Sequence, residues 1–505
     1  MDADVLVIGA GPAGLCAALR LLQLGYRVII VERQTTPPGN LGEAITGGVA
    51  NILDFLVVSD LLDAVPHHRA LPTRLIWSSR TAEQRPANDS ASGTMIARAQ
   101  FDAALLSRAA DRGARCLLSA TVRAMARDGE GMRVNVEHGG QHQTFRVRLV
   151  LDARGRSAGA QNRIATAPPL LALWCEFEAT SMPAETRVEA LADGWLWGAP
   201  LPNGRYRVMA FCDPATPRRH APSQPPIWLK AALARSHLFV QCADAVAATE
   251  LRACAATPSI SEHAWQDGVL RLGDAAFALD PLSSSGVEKA MRFSLQAATA
   301  IHTAFTDNAS APLAQTYFQQ TLIDTAARHC FWTERYYAQA WPAADSPFWQ
   351  ARAQPFPVQT PSATARTLGA ARRLLQMQTD RPPSATAIRA DTLAHALLAP
   401  VFLSQASTWI ELPCVVDDRV QLRAALQHPN LERPLAFVEG YDLLSLLHAL
   451  VEQMSLSTLL SQWSHRMPAR TAARIAGWLL NKGVLLSGSE SLQPAVTTAS
   501  ALSHR

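Results

Sequence analysis

The chain has 505 residues, of which 48% are hydrophobic and 17% charged, with a formal net charge of +4. This length exceeds what one hydrophobic core supports and predicts two to four domains. The small net charge gives no support for sequence-independent binding to nucleic acid. No apolar run approaches the ~18 to 20 residues that span a bilayer, and no signal peptide precedes the first strand. We therefore expect a cytoplasmic protein without membrane contacts.

The cysteines are scattered along the chain, and lysine is rare. The eight cysteines are scattered, without a C-x-x-C pair or clustering with histidine, which favours reduced thiols over disulfides and predicts no metal site. Lysine occurs only at Lys230, Lys289 and Lys482. The first 229 residues therefore contain no lysine, which limits the chemistry considered below.

The first 33 residues predict a strand, a tight turn, a helix and a second strand. Apolar runs at 5–8 and 28–31 have strand character, and residues 12–24 have helical apolar spacing. Between strand and helix lies G-A-G-P-A-G, residues 9–14, and an acid closes the second strand. This is the context of a dinucleotide-binding turn rather than of an ordinary strand–helix connection. The predicted binding residues are Gly9, Gly11, Pro12, Ala13, Gly14, Glu32 and Arg33.

Each residue type in this turn has a physical reason. Gly9 permits the tight turn, Gly11 lets the backbone approach a pyrophosphate, and Gly14 allows close packing of helix on strand. The helix N-terminus adds a favourable dipole for phosphate. Glu32 stands at the spacing of a carboxylate that accepts hydrogen bonds from an adenosine ribose.

Further along, a helix is predicted at 101–113 and a strand at 147–151. Residues 170–265 change to β-type segments, such as 206–211, separated by proline-rich loops. A strand at 268–272 and a helix at 286–303 then return the chain to the first fold. We predict a discontinuous nucleotide-binding domain (1–165 and 266–335) with an inserted β-sheet substrate domain (166–265).

The C-terminal part divides at a change in composition. Proline and serine are dense at 336–390, which predicts a linker or wrapping segment. Residues 391–505 predict a separate, mainly helical module with a hairpin around Asp417 and Asp418 and a final helix–strand junction typical of winged-helix folds. A packing cap, a dimer surface and a partner-recognition module all remain open for it.

Two distant boxes, D-A-R-G-R-S (152–157) and R-L-G-D-A-A-F-A-L-D-P (271–281), resemble those of group A flavoprotein monooxygenases. The resemblance covers about residues 3–330. It implies an α/β fold with a Rossmann-like FAD domain of the glutathione-reductase type, as in p-hydroxybenzoate hydroxylase. It also implies that Arg98 meets the FAD phosphates and that Asp274 reaches the ribityl chain or pyrophosphate. The other implied FAD contacts are Val122, Asp152 and Gly273.

A narrower resemblance is to the halogenase-like branch of that superfamily. D-P-L-S-S-S-G, containing Pro281 and Gly286, feeds a helix whose N-terminal amides would face the flavin. L-G-E-A (41–44) resembles the G-E-S box, with alanine in place of serine. D-G-W-L-W-G-A-P (193–200) resembles the G-W-x-W-x-I-P box of flavin-dependent tryptophan halogenases. Trp195 and Trp197 point the same way on a strand and either line a substrate pocket or belong to plain core.

Halogenation is nevertheless disfavoured. Halogenases hold hypohalous acid with a lysine downstream of the G-E-S box, and arginine replaces that ammonium poorly. No lysine precedes Lys230, Lys289 lies in the wrong box, and Ala199 replaces the isoleucine. The chain instead resembles halogenase-like flavoproteins without the halogenating lysine, which hydroxylate a tryptophan of a partner polypeptide during biogenesis of cysteine tryptophylquinone in quinohaemoprotein amine dehydrogenase.

That resemblance implies an FAD-dependent monooxygenase acting through the flavin C4a-hydroperoxide. It would use O₂ with NAD(P)H or separately supplied reduced flavin, and its partner would be the small subunit of an amine dehydrogenase. Glu43 is the first candidate for a catalytic base and Glu288 the second, with a structural pairing to arginine open for either. Three other functions stay open: a monooxygenase of a free aromatic metabolite, a halogenase, and a non-catalytic FAD-binding maturation chaperone.

Overall fold

The structure is a computed structural model. It describes residues 1–36, 44–87, 93–158, 163–178, 182–217, 225–247, 250–357, 362–379, 397–448, 450 and 454–488. The chain forms two compact units, residues 1–372 and 373–505. The division lies in the middle of a helix, Ala363–Thr379, some 18 residues before the predicted boundary at 390.

The described part of the first unit combines four β-sheets, of eight, seven, three and three strands, with helices. Its strands are β1 (Ala3–Ile8), β2 (Val28–Val31), β3 (Ala44–Ile45), β4 (His67–His68), β5 (Thr73–Ile76), β6 (Glu83–Arg85), β7 (Thr94–Ile96), β8 (Arg115–Leu117), β9 (Ala120–Asp128), β10 (Gly131–His138), β11 (Gln141–Asp152), β12 (Arg163–Ala165), β13 (Leu171–Glu178), β14 (Thr186–Leu191), β15 (Gly194–Pro200), β16 (Arg205–Cys212), β17 (Arg252–Ala255), β18 (Ser259–Ser261), β19 (Trp265–Gln266), β20 (Val269–Arg271) and β21 (Phe277–Ala278). Its helices are α1 (Pro12–Gln23), α2 (Gly48–Phe55), α3 (Leu61–Ala64), α4 (Arg98–Asp111), α5 (Pro225–Ala234), α6 (Ala243–Ala247), α7 (Gly286–Thr306), α8 (Ala311–Ala338), α9 (Pro347–Arg352) and α10 (Ala363–Thr379), the last extending past residue 372. Short 3₁₀ turns occupy Gly155–Ser157, Gly273–Ala275 and Pro281–Ser283.

The nucleotide-binding core is a sheet with the strand order β19-β20-β11-β1-β2-β8, extended by the β9–β10 arm. Strands β20, β11, β1, β2 and β8 run parallel. The apolar runs of β1 and β2 are almost wholly buried, and on one face Leu6 and Ile29 share a core with Val134 and Val136 of β10. Helices α1 and α7 pack against each other beside this sheet. The strands and helices predicted at 5–31, 147–151 and 268–303 are thus confirmed.

The second large sheet has the order β17-β13-β16-β15-β14-β5-β6. Its strands pair antiparallel except for β5 and β14, which run parallel and bring residues 73–76 alongside 186–189. Residues 73–85 were predicted from the sequence to belong to the first domain and to contain no strand, so β5 and β6 were not expected in this sheet. Leu196 faces a core that includes Trp228 and Leu229 of α5, while Trp195 faces the opposite side. The alternation predicted for the tryptophan box is therefore confirmed.

Residues 336–357 pack onto this second sheet. Trp349 is fully buried, and its Nε1 donates to the carbonyl oxygen of Leu191 (2.8 Å). Pro347 starts α9, a position where proline costs no hydrogen bond. One of the prolines that suggested a linker therefore marks the start of a helix. The segment containing this helix covers the face of the second sheet that carries Trp195.

The second unit contains β22 (Val401–Leu403), β23 (Thr408–Val416), β24 (Arg419–Gln427), β25 (Phe437–Val438), β26 (Tyr441–Asp442), α11 (Leu443–Leu447), α12 (Leu456–Ser464), α13 (Ala469–Asn481) and β27 (Leu485–Ser487). Asp417 and Asp418, with φ of 47° and 63°, form the two-residue turn between β23 and β24, which confirms the predicted hairpin. After α13, strand β27 pairs with β22. Across the described parts of both units, no helix has the length and apolar character that crossing a membrane requires.

Candidate active site

The glycine-rich turn leaves the start of α1 open. Gly9 has φ of 105°, and a Cβ there would lie 2.7 Å from the carbonyl oxygen of Ala153. A Cβ on Gly14 would overlap the carbonyl oxygen of Gly9, whereas nothing lies within 4 Å of a Cβ on Gly11. No side chain caps α1, and Pro12 removes one of its N–H groups. The remaining free N–H groups and the helix dipole therefore face an open space that suits a diphosphate.

Glu32 is buried beside this turn. Its Oε2 accepts from the backbone N–H of Ala10 (2.8 Å), which places the carboxylate directly behind the glycine loop. The carbonyl oxygen of Glu32 accepts from Ala120 N (2.9 Å), so the start of β9, with half-buried Val122, lies alongside. Arg33 is exposed. The arrangement fits an adenosine whose ribose reaches Glu32, as the sequence predicts.

Arg98 begins α4 and is buried, with its Nη2 3.0 Å from Asp102 Oδ2. Helix α4 packs on α1, and Asp102 lies close enough to raise the pKa of the Cys16 thiol, although burial is the larger cause. The arginine is therefore not a loose residue at an exposed helix end. Its predicted contact with the FAD phosphates stays a prediction.

A second turn closes over the start of α1. Gly273 has φ of 55°, and a Cβ there would come within 2.9 Å of the Ala13 Cβ. Asp274 accepts from Arg156 Nε (3.2 Å) and from Lys289 Nζ (3.3 Å). Burial acts to raise the pKa of Asp274, but Lys289 and Arg156 hold it below its ordinary value. The carboxylate is therefore ionised and surrounded by excess positive charge, which also suits a diphosphate.

Asp152 and the turn at 281–283 complete this edge of the sheet. Asp152 ends β11, is buried and accepts from Arg154 Nε (2.8 Å). The carboxylate of Asp280 accepts from Leu282 N (3.0 Å) and so caps the turn that begins at Pro281. Gly286 then opens α7, with nothing within 4 Å of where its Cβ would be. We call residues 280–286 the flavin-facing turn, since the resemblance predicts that it meets the flavin ring.

The two candidate bases differ in what the structure describes. Glu43 lies outside the described residues. Glu288, on the first turn of α7, accepts hydrogen bonds from Thr46 Oγ1 and Arg292. Burial acts to raise the pKa of Glu288, but these two bonds hold it below its ordinary value. Such pairing is what a structural acid tying α7 to residues 46–48 would make, and the catalytic role of Glu288 stays a prediction.

An aromatic cluster adjoins the flavin-facing turn. Trp195 stacks on Phe211 (3.9 Å between ring centroids) and meets Trp77 edge to face. Trp197, half-buried, belongs to the same cluster, as does Leu282 of the flavin-facing turn. Trp197 also packs with Ala44 and neighbours, just after the L-G-E box. Both tryptophans thus lie on one face of β15, which we call the aromatic face, and Leu282 packs against the same cluster.

Neither lysine of the first unit is available on the aromatic face. Lys289 is buried and donates to Asp274 and to the carbonyl oxygen of Phe277. Lys230 is half-exposed on α5, which covers the opposite face of the second sheet, and pairs with Asp244 (3.4 Å). In the described part of the first unit, therefore, no lysine ammonium stands beside Trp195 or Trp197.

Several residues of this site were not predicted from the sequence. Tyr337, Trp77, Phe348 and Trp349 all belong to the aromatic cluster, and Asp280 caps the flavin-facing turn. Asp280 lay within a recognised box and could have been singled out as the acid before the proline. The aromatic residues carried no local signal, because their partners are distant in sequence.

The fold and the site together define an FAD-binding flavoprotein of the type found in halogenases and aromatic hydroxylases. The chain belongs to the FAD binding domain family, which matches residues 2–324. This membership confirms FAD as the cofactor and the predicted Rossmann-like fold.

Three relatives illustrate the branch. The tryptophan 2-halogenase of Chondromyces crocatus is 25% identical over 336 residues, which make up 63% of this chain and 64% of the relative, slightly less than two thirds of its length. Among solved structures, the peptidyl tryptophan dihydroxylase QhpG, essential for tryptophylquinone cofactor biogenesis, aligns with a TM-score of 0.70 at 23% identity and covers 96% of this chain and 100% of its own. The flavin-dependent halogenase CmlS aligns with a TM-score of 0.71 at 19% identity and covers 96% of both chains. These likenesses agree with the resemblance to the halogenase-like branch that the sequence motifs carry, and the two solved structures show that the fold is shared.

Proposed function

We propose that this protein is an FAD-dependent monooxygenase that hydroxylates a tryptophan side chain of a partner polypeptide. The observation that carries the proposal is that the aromatic face and the flavin-facing turn meet in one cluster: Leu282 packs against it, and Tyr337 joins Trp195 to Asp280 by hydrogen bonds. Two of the three relatives are named for tryptophan as their substrate, one of them within a polypeptide. The partner we propose is the small subunit of an amine dehydrogenase whose cysteine tryptophylquinone is being formed.

Bound FAD, reduced by NAD(P)H or supplied already reduced, would activate O₂ for transfer of one oxygen atom to the aromatic ring. The protein's own contribution is binding, orientation and exclusion of water. The N-terminal N–H groups of α7 are aimed to stabilise negative charge beside them. The buried rings of Trp195 and Phe211 keep one side of the reaction space dry, and Trp197 offers a flat surface for an indole.

Oxygen transfer fits this site better than halide transfer. A halogenating lysine must present a free ammonium to the substrate side of the flavin. Lys289 already donates to Asp274 and Phe277, and Lys230 lies on the helix that covers the opposite face of the sheet. An indole ring is already nucleophilic at carbon, so only removal of the ring proton calls for a base. We assign that role first to Glu43 and second to Glu288.

The direct test is mass spectrometry of the partner polypeptide after incubation with the enzyme, FAD, a reductant and ¹⁸O₂. We expect a gain of one or two ¹⁸O atoms located on tryptophan. The variant Trp197→Ala should bind FAD normally but lose most of this activity, while Trp332→Ala, an exposed tryptophan on α8, serves as the matched control. Oxygenation of free indole or of a small phenol without any on the polypeptide would refute the polypeptide substrate. Absence of label on every aromatic substrate, despite bound FAD, would favour a maturation chaperone.

The role of the second unit is tested separately. A chain ending at Thr379, the last residue of α10, contains the whole first unit and should keep its bound flavin. If the second unit grips the partner, this shorter chain loses oxygenation of the polypeptide but not flavin reduction. Unchanged oxygenation of the polypeptide would show that the second unit is a packing or dimerisation module.

A further inference from the structure

A buried chain of hydrogen bonds joins the aromatic face to the flavin-facing turn. Trp195 Nε1 donates to Tyr337 Oη (3.3 Å), and that hydroxyl lies 3.2 Å from each carboxylate oxygen of Asp280. Asp280 in turn accepts from Leu282 N (3.0 Å). None of the three side chains is more than 2% exposed. Three elements that are distant in sequence, β15, the end of α8 and the turn at 281–283, therefore share one polar network.

The backbone of Asp280 is held as well as its side chain. Its N–H donates to His329 Nε2 (2.9 Å). Burial lowers the pKa of His329 to about 3, with Lys289 adding to the effect, so the imidazole is neutral and can accept this bond. Two residues of α8, His329 and Tyr337, thus form hydrogen bonds with Asp280. A change at Asp280 would be transmitted to Leu282 and to the start of α7.

Opposing effects act on the pKa of the Asp280 carboxyl group. Burial raises its pKa to about 6, while Leu282 N–H, Arg352, the Tyr337 hydroxyl and Arg156 favour the ionised form. A small pocket touches the same carboxyl, and within the described residues the Thr166 hydroxyl that lines it has no hydrogen-bond partner. The titratable and charged groups around Asp280 and this pocket are Tyr337, His329, Glu334 and Cys330 from α8, Arg352 from α9 and Arg156 from the 155–157 turn.

We propose that Asp280 and Tyr337 are positioning residues for the flavin: ionised Asp280, held by Tyr337, keeps the turn at 281–283 and the start of α7 in the arrangement that FAD binds. Protonated Asp280 becomes a donor and a weaker acceptor, so its bond from Leu282 N–H weakens and the turn relaxes. The inference rests on FAD binding alone and not on the substrate of the proposed reaction.

The experiment measures FAD affinity between pH 5 and 8 by quenching of flavin fluorescence, with no substrate or reductant present. We expect wild-type affinity to fall as pH drops through about 6. Asp280→Asn fixes the neutral form, so its affinity should be about tenfold weaker at pH 8 and independent of pH. Tyr337→Phe removes a donor that favours the carboxylate, so the midpoint of its profile should move to higher pH.

Two matched controls separate this role from simple loss of packing. Tyr336→Phe alters the exposed neighbour of Tyr337 and should keep the wild-type profile. Glu334→Gln removes another carboxyl whose pKa burial raises, to about 7, and should keep the wild-type midpoint. Affinity lowered equally at every pH in Tyr337→Phe, with the midpoint unmoved, would overturn the proposal. So would a titration near pH 6 that persists in Asp280→Asn. Because no substrate is present, neither result bears on tryptophan hydroxylation.

Discussion

Gly11→Ala separates the flavin site from the fold that carries it. Gly11 has φ of −88° and ψ of 177°, a conformation that alanine adopts freely, and nothing lies within 4 Å of the new Cβ. The apoprotein should therefore lose only the ~0.5–1 kcal/mol by which alanine is a poorer N-cap than glycine. The methyl group, however, projects into the space that the diphosphate needs. We expect at least about tenfold weaker FAD binding, or ~1.4 kcal/mol.

Gly14→Ala should have the opposite effect and destabilise the fold itself. Its Cβ would lie well inside 3.0 Å of the carbonyl oxygen of Gly9, so α1 has to move away from β1. Overpacking of this kind costs ~1–3 kcal/mol or more, and each kcal/mol lowers the melting temperature of a domain of this size by about 2–4 °C. The apoprotein itself should therefore melt several degrees lower.

The assay combines thermal unfolding of the flavin-free protein with FAD titration of the folded protein. Gly477→Ala in the interior of α13, where a Cβ also meets nothing within 4 Å, controls for the substitution as such and should stabilise the second unit by ~0.5–1 kcal/mol. Gly11→Ala that melts normally and binds FAD with an unchanged constant would refute the assignment of the phosphate site to the start of α1.

Three further predictions concern charged groups. Lys230→Met should leave oxygen transfer unchanged. Reactions of the wild-type enzyme in chloride or bromide should yield no halogenated tryptophan by mass spectrometry. A halogenated product would refute the conclusion that no lysine here supports halogenation. Glu288→Gln weakens the contacts with Thr46 and Arg292 and should cost about 1 kcal/mol in urea unfolding while the pH profile of turnover keeps its shape. If the variant instead loses the acidic or the basic limb of the pH profile of turnover, the result would assign the role of base to Glu288. Asp280 has a folded pKa of about 6 against an ordinary value of 3.8, so its contribution to stability is complete below pH 3.8 and is lost as pH rises through 6. The loss is at most about 3 kcal/mol, and it should vanish from the stability–pH curve of Asp280→Asn.

The parts of the site that were predictable from sequence depend on local backbone geometry. Positions 9, 14 and 273 require glycine, because φ is positive or because another backbone approaches closely. The spacing of these glycines therefore predicts the turns that they form. The same holds for Asp417 and Asp418 in the hairpin turn. Burial of whole strands such as β1 and β2 is likewise visible as uninterrupted apolar runs.

The parts that escaped prediction depend on partners distant in sequence. The pairing of β5 with β14 joins segments more than a hundred residues apart, and short strands with exposed residues show little periodicity. Tyr337 reaches Asp280 across 57 positions and Trp195 across 142. Trp349 looked like part of a proline-rich linker, since nothing nearby in sequence reveals the sheet that buries it.

The order in which the chain is synthesised gives the parallel sheet a particular consequence. Strand β11 pairs with β1 and β20, yet β20 follows β11 by more than a hundred residues that build the second sheet. Strand β10 already pairs with residues 141–147 of β11, so only residues 150–152 of that edge stay unpaired on the ribosome while the second sheet is made. The turn at 273–275 and helix α7, which we predict to complete the FAD site, emerge later still. We therefore expect tight FAD binding only after about residue 306 has been translated, when the inserted sheet has already been made.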